Sequence, residues 1–205
     1  MLTITKSGLL ASAALAVAMT GSFDVRAVEA GQVYALDPGH TEIRAIWNHA
    51  GVSDQSGEFD KFEGELDFDP KDPTKSSLTV KISSASISTG FDALDKHLIS
   101  ADFFEVEKYP DITFKSTGVK QSSAEHAMVS GDLTIHGVTK PVTLDVQLIH
   151  KGEHPLGQFI DYYKGQWLGF KASTTILRSD FDVGRFAPLT SDRVEISIST
   201  ELKAK

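Results

Sequence analysis

From about residue 31 to the C-terminus, apolar and polar positions alternate with a period of two. Phe62, Gly64, Leu66 and Phe68 alternate with Glu63, Glu65, Asp67 and Asp69, and Leu78, Val80 and Ile82 with Thr79, Lys81 and Ser83. Leu133 and Ile135 stand against Thr134 and His136, and Val142, Leu144, Val146 and Leu148 against Thr143, Asp145 and Gln147. Leu168, Phe170, Ala172, Thr174 and Ile176 follow, then Val194, Ile196, Ile198 and Leu202 between Glu195, Ser197, Ser199 and Glu201. Successive side chains of a strand point to opposite faces, so each stretch predicts a strand with one dry and one wet face. With Ile43 to Trp47 and Ile112 to Val119, about eight strands emerge.

The connections predict hairpins. Asp69-Pro70-Lys71-Asp72-Pro73 and Gly137-Val138-Thr139-Lys140-Pro141 supply the residues that fix or free φ where a chain reverses. No stretch between the strands is long enough for a helical crossover, so the sheet is antiparallel. One segment departs from the alternation. Between Gly90 and Glu105, Phe91, Leu94 and Leu98 recur at helical spacing and Ser100 is placed to cap a second short turn, which predicts a helical insertion on one end of the sheet. This insertion reads equally as a structural plug and as a gate. About eight strands of matched length suit an all-β, antiparallel, lipocalin-like barrel, because closure removes exposed edges. At that strand number the interior is either filled by side chains or just wide enough for one small ligand.

The first thirty residues stand apart from this pattern. Lys6, an apolar or small run from Leu9 to Phe23, and the small-residue patterns Val25-Arg26-Ala27 and Val28-Glu29-Ala30 predict a signal peptide over residues 1–30, with a mature chain beginning at Val28 or Gly31. Residues 31–205 then form one domain, and the expected location is the periplasm. There is no cysteine, which excludes a disulfide, a thiolate metal site and a lipid anchor on an N-terminal Cys. Acidic residues outnumber basic ones, 28 to 20, which argues against nucleic acid as a partner.

Motifs for catalysis are missing: no nucleophile elbow, phosphate loop, dinucleotide fingerprint or His-Glu-x-x-His is present. His150 and His154 are four apart, but Lys151-Gly152-Glu153 and Pro155 give them the character of a loop, and no metal or other cofactor is expected. His40, His49 and His136 read as hydrogen-bonded structural residues. The carboxylates fall mainly on wet strand faces, where solvation accounts for them. The inward-facing set combines large aromatics (Trp47, Phe62, Phe68, Phe114, Phe170) with small residues (Ala45, Gly64, Gly131, Ala172). That mixture fits either a tapered, filled core or a cavity.

Several linked stretches resemble the YceI-like polyisoprenoid-binding family. They are Asp37-Pro38-Gly39-His40-Thr41, Gly57-Glu58-Phe59-Asp60-Lys61-Phe62-Glu63-Gly64, His97-Leu98-Ile99-Ser100-Ala101-Asp102-Phe103-Phe104, Tyr109-Pro110-Asp111-Ile112-Thr113-Phe114-Lys115-Ser116-Thr117, Gly131-Asp132-Leu133-Thr134-Ile135-His136-Gly137-Val138-Thr139-Lys140 and Leu177-Arg178-Ser179-Asp180-Phe181. The resemblance implies an exported barrel, not an enzyme, whose elongated apolar tunnel holds a polyisoprenoid or similar amphiphile. The tunnel is expected to be lined by Ala45, Trp47, Phe62, Leu98, Phe103, Phe104, Phe114, Gly131, Leu133 and Phe170. Three positions depart from the family pattern. Leu94-Asp95-Lys96 stands where an Arg-Asp precedes the His-Leu pair, Asp182 replaces a Gly after Phe181, and Ala45 replaces an aromatic.

The energetics favour a long ligand. Each buried CH₂ contributes about 0.8 kcal/mol, against an association cost of about 4 kcal/mol or more. A tail of roughly fifteen carbons or longer binds through apolar contact alone. A prenyl quinone or its precursor, with a weakly charged head, ranks ahead of a prenyl phosphate or a fatty acyl amide. A filled barrel acting on envelope partners and an enzyme acting on a lipid stand as the alternatives.

Overall fold

The computed structural model describes residues 31–205; the predicted signal peptide lies outside the described residues. Ten strands form one antiparallel sheet: β1 Gln32–His49, β2 Ser53–Phe59, β3 Phe62–Phe68, β4 Ser77–Ser83, β5 Ile87–Ser88, β6 Asp111–Gln121, β7 His126–Ile135, β8 Val138–Glu153, β9 Gln166–Leu177 and β10 Thr190–Ala204. Following hydrogen-bonded neighbours from β1 through β10, β9, β8, β7, β6, β4 and β3 leads back to β1, so eight strands close a barrel and β2 and β5 extend it. Each of the predicted stretches falls on one of these eight. β2 escapes the alternation because it is Ser-Asp-Gln-Ser-Gly-Glu-Phe, polar and exposed until Gly57 and Phe59.

β2 and β3 lie end to end along β1. Arg44 to His49 pair with Glu58 to Ser53, while Gln32 to Ala35 pair with Phe68 to Glu65. On its other side β1 runs the length of β10, but between Leu36 and Thr41 the register jumps as Asp37 to His40 loop out of the ladder. Such a bulge bends the strand and aims side chains that a regular ladder would keep alternating.

Two connections differ from the sequence expectation. The β7–β8 hairpin turns on His136 and Gly137 alone, both with positive φ of +52° and +75°. Two left-handed residues suffice for a tight hairpin, so Val138 to Pro141, expected as part of the turn, already belong to β8. The ring of Tyr109 packs on this turn, and a Cβ at Gly137 would sit 2.6 Å from it. β8 also continues to Glu153, past a bulge after Leu148, so His150 and Lys151-Gly152-Glu153 are strand instead of loop. After Phe181 the chain turns at Asp182 with φ of +57°. That left-handed conformation accounts for the Gly that the family resemblance places there, and Asp is among the few other residues that tolerate it.

The insertion contains one helix, α1, at Asp92–Leu98, followed by successive turns instead of a second helix. Asp95 Oδ1 accepts hydrogen bonds from Thr89 N and Oγ1 at 2.8 and 2.6 Å, closing the helix against the end of β5. Ser100 does not start a helix; its hydroxyl donates to His97 O at 2.7 Å.

Two apolar clusters stand at opposite ends of the barrel. Ile43, Phe59, Ile87, Ile112, Ile135, Ile176, Phe181, Val183 and Val194 pack beneath α1 and the 182–190 loop, with Leu98, Ile99 and Phe104 against them. Tyr34, Phe68, Leu168 and Leu202 pack at the far end. Full burial of one such side chain contributes about 1.5 to 3 kcal/mol.

Candidate functional site: the barrel interior

The inward faces do not meet in the middle. They enclose a cavity of about 1140 Å³, lined along its length by residues such as Ile43, Val80, Leu144, Ala172 and Ile196. This lies at the upper end of, or above, the few hundred to about 1,000 Å³ common for small-molecule pockets. Small residues on neighbouring strands create the room: Ala45 pairs with Ile196, and Ala172 with Ile198 and Val146.

Of the residues expected to line the tunnel, Ala45, Trp47, Leu98, Phe103, Phe104, Phe114, Leu133 and Phe170 do so. Phe62 and Gly131 lie off the lining. Phe62 packs against the α1-end cluster. Gly131 is buried beneath the Phe114 ring, and a Cβ added there would come within 2.3 Å of Phe114 Cζ and 2.7 Å of Lys115 O. Its missing side chain therefore makes room for an aromatic wall, not for ligand. Phe186 and Leu189 also line the cavity without having been legible as such, since they sit in a loop with no strand period. Their signal was an apolar pair around Ala187-Pro188 shortly after a turn.

The two ends of the cavity differ chemically. At the α1 end it is bounded by Phe91, Leu94, His97, Phe186, Leu189 and Arg178, and at the far end by Lys71, Gln121, Glu125, His126 and Lys151. Arg178 offers nothing to a ligand head. Nε donates to Ser191 O, Nη1 to Val183 O and Arg185 O, and Nη2 to Thr190 O and Oγ1, at 2.8 to 3.3 Å. These bonds engage the whole donor fork of a guanidinium and fold the 182–190 loop around it. That loop is joined to the insertion by Asp102, whose Oδ1 is 2.8 Å from Arg185 Nη1 and whose Oδ2 is 2.9 Å from His97 Nε2. The His97 ring meets Phe103 and Phe186 edge-on, with centroids 5.0 and 6.1 Å away.

A second cluster lies outside the wall at the far end. The β1 bulge buries Asp37, whose Oδ2 is 2.6 Å from His40 Nδ1 and whose Oδ1 accepts from Tyr162 Oη at 2.8 Å and Gly39 N at 3.2 Å. Burial raises the Asp37 pKa, but the bonds from His40, Tyr162 and Gly39 outweigh it and hold the carboxyl below the usual range. The same bond from Asp37 raises the pKa of His40 against its partial burial. Tyr163 Oη lies 3.1 Å from His40 Nε2, and Tyr163 O accepts from Trp167 Nε1 at 2.9 Å. Glu201 reaches this cluster from β10, with His154 Nε2 3.3 Å from its Oε2. His40 is thus hydrogen-bonded as expected. His136 has its Nε2 3.3 Å from Glu105 Oε2, outside hydrogen-bond geometry, and its ring packs 4.3 Å from Tyr109.

Residues 34–202 match the YceI-like domain. Protein YceI of Escherichia coli is 37% identical over 201 residues, spanning 98% of this chain and 95% of that one. The solved structure of a Campylobacter jejuni YCEI protein superimposes with a TM-score of 0.68 at 31% identity, covering 77% of this chain and 90% of that one. A polyisoprenoid binding domain from Saccharophagus degradans shares the fold at 16% identity and a TM-score of 0.61, over 85% of this chain and 99% of that one. The closed barrel, the quoted motifs in their chain order and these matches together establish that the chain belongs to the YceI-like family.

Proposed function

We propose that this protein is exported to the periplasm and there carries or stores a long isoprenoid-type lipid, such as a prenyl quinone or its precursor, within the barrel. The observation that carries this reading is the apolar cavity of about 1140 Å³ reaching from one end of the closed barrel to the other. A chain lying in it exchanges water for Ile, Val, Leu and Phe side chains at about 0.8 kcal/mol per CH₂. The fold shared with a polyisoprenoid binding domain supports the ligand class. Binding without turnover is favoured because the polar groups at the α1 end are engaged in holding loops: Arg178 by backbone carbonyls and His97 by Asp102. An uncharged or weakly charged head fits a mouth whose two arginines, Arg178 and Arg185, are already engaged by backbone carbonyls and by Asp102.

Native mass spectrometry of the protein purified from the periplasm of its own cells tests this directly. The expected spectrum shows the mature chain, beginning at Val28 or Gly31, with a bound mass that belongs to an isoprenoid series. Protein that emerges ligand-free, and that fails to take up an added prenyl quinone, would refute the reading. Consumption of the added lipid into a new product would replace it with an enzymatic one.

A further inference from the structure

The rim of the cavity at the α1 end is apolar on its outer side as well as on its inner one. Resting on the carrier reading above, we propose that this rim docks on the surface of a lipid bilayer, so that a lipid passes between membrane and barrel without crossing water.

Three segments distant in sequence supply the rim. Val52 tips the β1–β2 hairpin, in which His49 pairs with Ser53 on one side and with Thr190 of β10 on the other. Phe186 and Leu189 belong to the 182–190 loop that runs into β10, and Phe91 precedes α1 just after β5, which pairs with β2. The four residues are 48 to 83% exposed. Monomers rarely leave such side chains together in water unless the patch has a partner. Phe186 also has a φ of +65°, a backbone conformation that bulky residues seldom adopt. The Arg185 guanidinium lies 5.1 Å over its ring, and His97 and Phe103 pack beside it with centroids 6.1 and 6.2 Å away.

The occupant follows from continuity and from size. Phe91, Phe186 and Leu189 line the cavity and also reach the outside, so an apolar path runs from the interior to the rim. Val52 does not line the cavity and extends the rim outward. Four partly exposed side chains fall short of the about 800 Å² that each partner buries in a stable protein pair. They suffice for shallow, reversible insertion at the headgroup boundary. Charge does not direct the contact, because exposed Lys96 and Arg185 are offset by exposed Asp54 and Asp92 on the same segments. Insertion is therefore apolar and needs no anionic membrane. The exposed Leu156, Phe159 and Ile160 of the outer wall lack this continuity, since none of them lines the cavity.

Mature protein is tested against phosphatidylcholine vesicles loaded with a prenyl quinone and, in parallel, against the same quinone in detergent micelles. Wild type is expected to float with the vesicles and to draw quinone from them. Val52→Asp, which leaves the lining intact, should draw quinone from vesicles at least about tenfold more slowly, with Tm and uptake from micelles unchanged. Phe159→Asp, on the wall, should match wild type in both. Wild type that takes up quinone from micelles but neither floats with vesicles nor draws from them overturns the docking and leaves the carrier reading standing. A Val52→Asp protein that draws from vesicles at the wild-type rate overturns it too, as does a Phe159→Asp protein slowed just as much. No uptake from either source refutes the carrier reading and the docking together. A concentration-dependent dimer that Val52→Asp dissolves would give the rim to a second copy of the chain instead.

Discussion

Two stretches interrupt the strand pattern with apolar side chains and use them in opposite ways. Residues 154–165, between β8 and β9, lie on the outer wall. There Tyr163 stacks on His154 with ring centroids 4.3 Å apart, Tyr162 bonds the buried Asp37, and both rings cover Trp167. None of these residues lines the cavity. Residues 182–190, between β9 and β10, do line it through Phe186 and Leu189, yet Leu189 remains 72% exposed and its neighbour across the mouth, Phe91, 66%. The first stretch, although its Phe159 is 80% exposed, is fixed by the bond of Tyr162 to a buried carboxylate and by rings packed on the buried Trp167. The second is held by Arg178 at its base and by an ion pair at the surface. Segments with few buried contacts are those that open at low cost, so under the proposed function a lipid should enter at the end of the barrel formed by α1 and the 182–190 loop.

The largest effect should fall on the fixed stretch. Trp167 is 1% exposed and its Nε1 donates to Tyr163 O. Trp167→Ala removes the surface on which the 154–165 loop rests and should cost about 3 to 5 kcal/mol in a denaturant titration. Lipid capacity per folded molecule should be unchanged. Loss of capacity with little loss of stability would mean that the wall loop governs the cavity and would break the contrast.

A second change divides the mouth itself. Phe104 lines the cavity but also packs on the core, with its ring 6.0 Å from that of Phe59. This packing favours plug over gate for Phe104, while the exposed part of the cover is Phe91, Phe186 and Leu189. Phe104→Ala should therefore lower the stability of the ligand-free protein by about 3 kcal/mol, the low end for a Phe truncation because the residue is only partly buried. A ligand-free mutant as stable as wild type, combined with faster lipid release, would return Phe104 to the gate.

The ion pair across the mouth should affect kinetics more than stability. Arg185 and Asp102 are half-exposed, and exposed pairs contribute about 0 to 1 kcal/mol. Arg185→Ala should leave Tm nearly unchanged but speed release of a fluorescent prenyl ligand. Because salt screens exposed charges over about 8 to 10 Å at ordinary ionic strength, added salt should bring the wild-type release rate toward that of the mutant. Equal release rates at low salt would show that the pair does not latch the loop.

What could be read in the sequence followed from periodicity, and what could not followed from convergence. All eight barrel strands announced themselves because each keeps one face dry. Eight of the ten expected lining residues are in place: Ala45, Trp47, Phe114, Leu133 and Phe170 because the phase of a strand fixes its inward face, and Leu98, Phe103 and Phe104 because the insertion covers that end of the barrel. Gly131 failed because phase says which way a residue points and not what covers it, and the Phe114 ring arrives from the neighbouring strand. The Asp37 cluster was illegible as a unit because Asp37, Tyr162 and Glu201 come from a bulge, a loop and a distant strand. Phe186 and Leu189 had no period to betray them. Even so, Arg178 and Asp180, quoted for their family resemblance, fell within the turn that founds the mouth loop.

The smallest effect concerns the base of that same loop and depends on pH. Asp192 accepts from Ser179 N at 2.8 Å and from Ser179 Oγ at 2.7 Å, closing the segment between them. The two bonds favour the ionised carboxylate and hold its pKa below the usual range. A group whose pKa is lower in the folded than in the unfolded chain adds stability that is fully present above the unfolded value, about 3.9. That contribution is lost as the pH falls through the folded value, where both states take up the proton. Asp192→Asn keeps an acceptor of the same shape but not the charge, so at pH 7 it should lower stability by only about 0.5 kcal/mol. The gap between wild type and mutant should then narrow as the pH is taken from 5 toward 2, and the wild-type mouth should release ligand faster over that range while the mutant changes less. A gap in Tm that stays constant down to pH 2 would show that the charge of Asp192 contributes nothing to closing the loop.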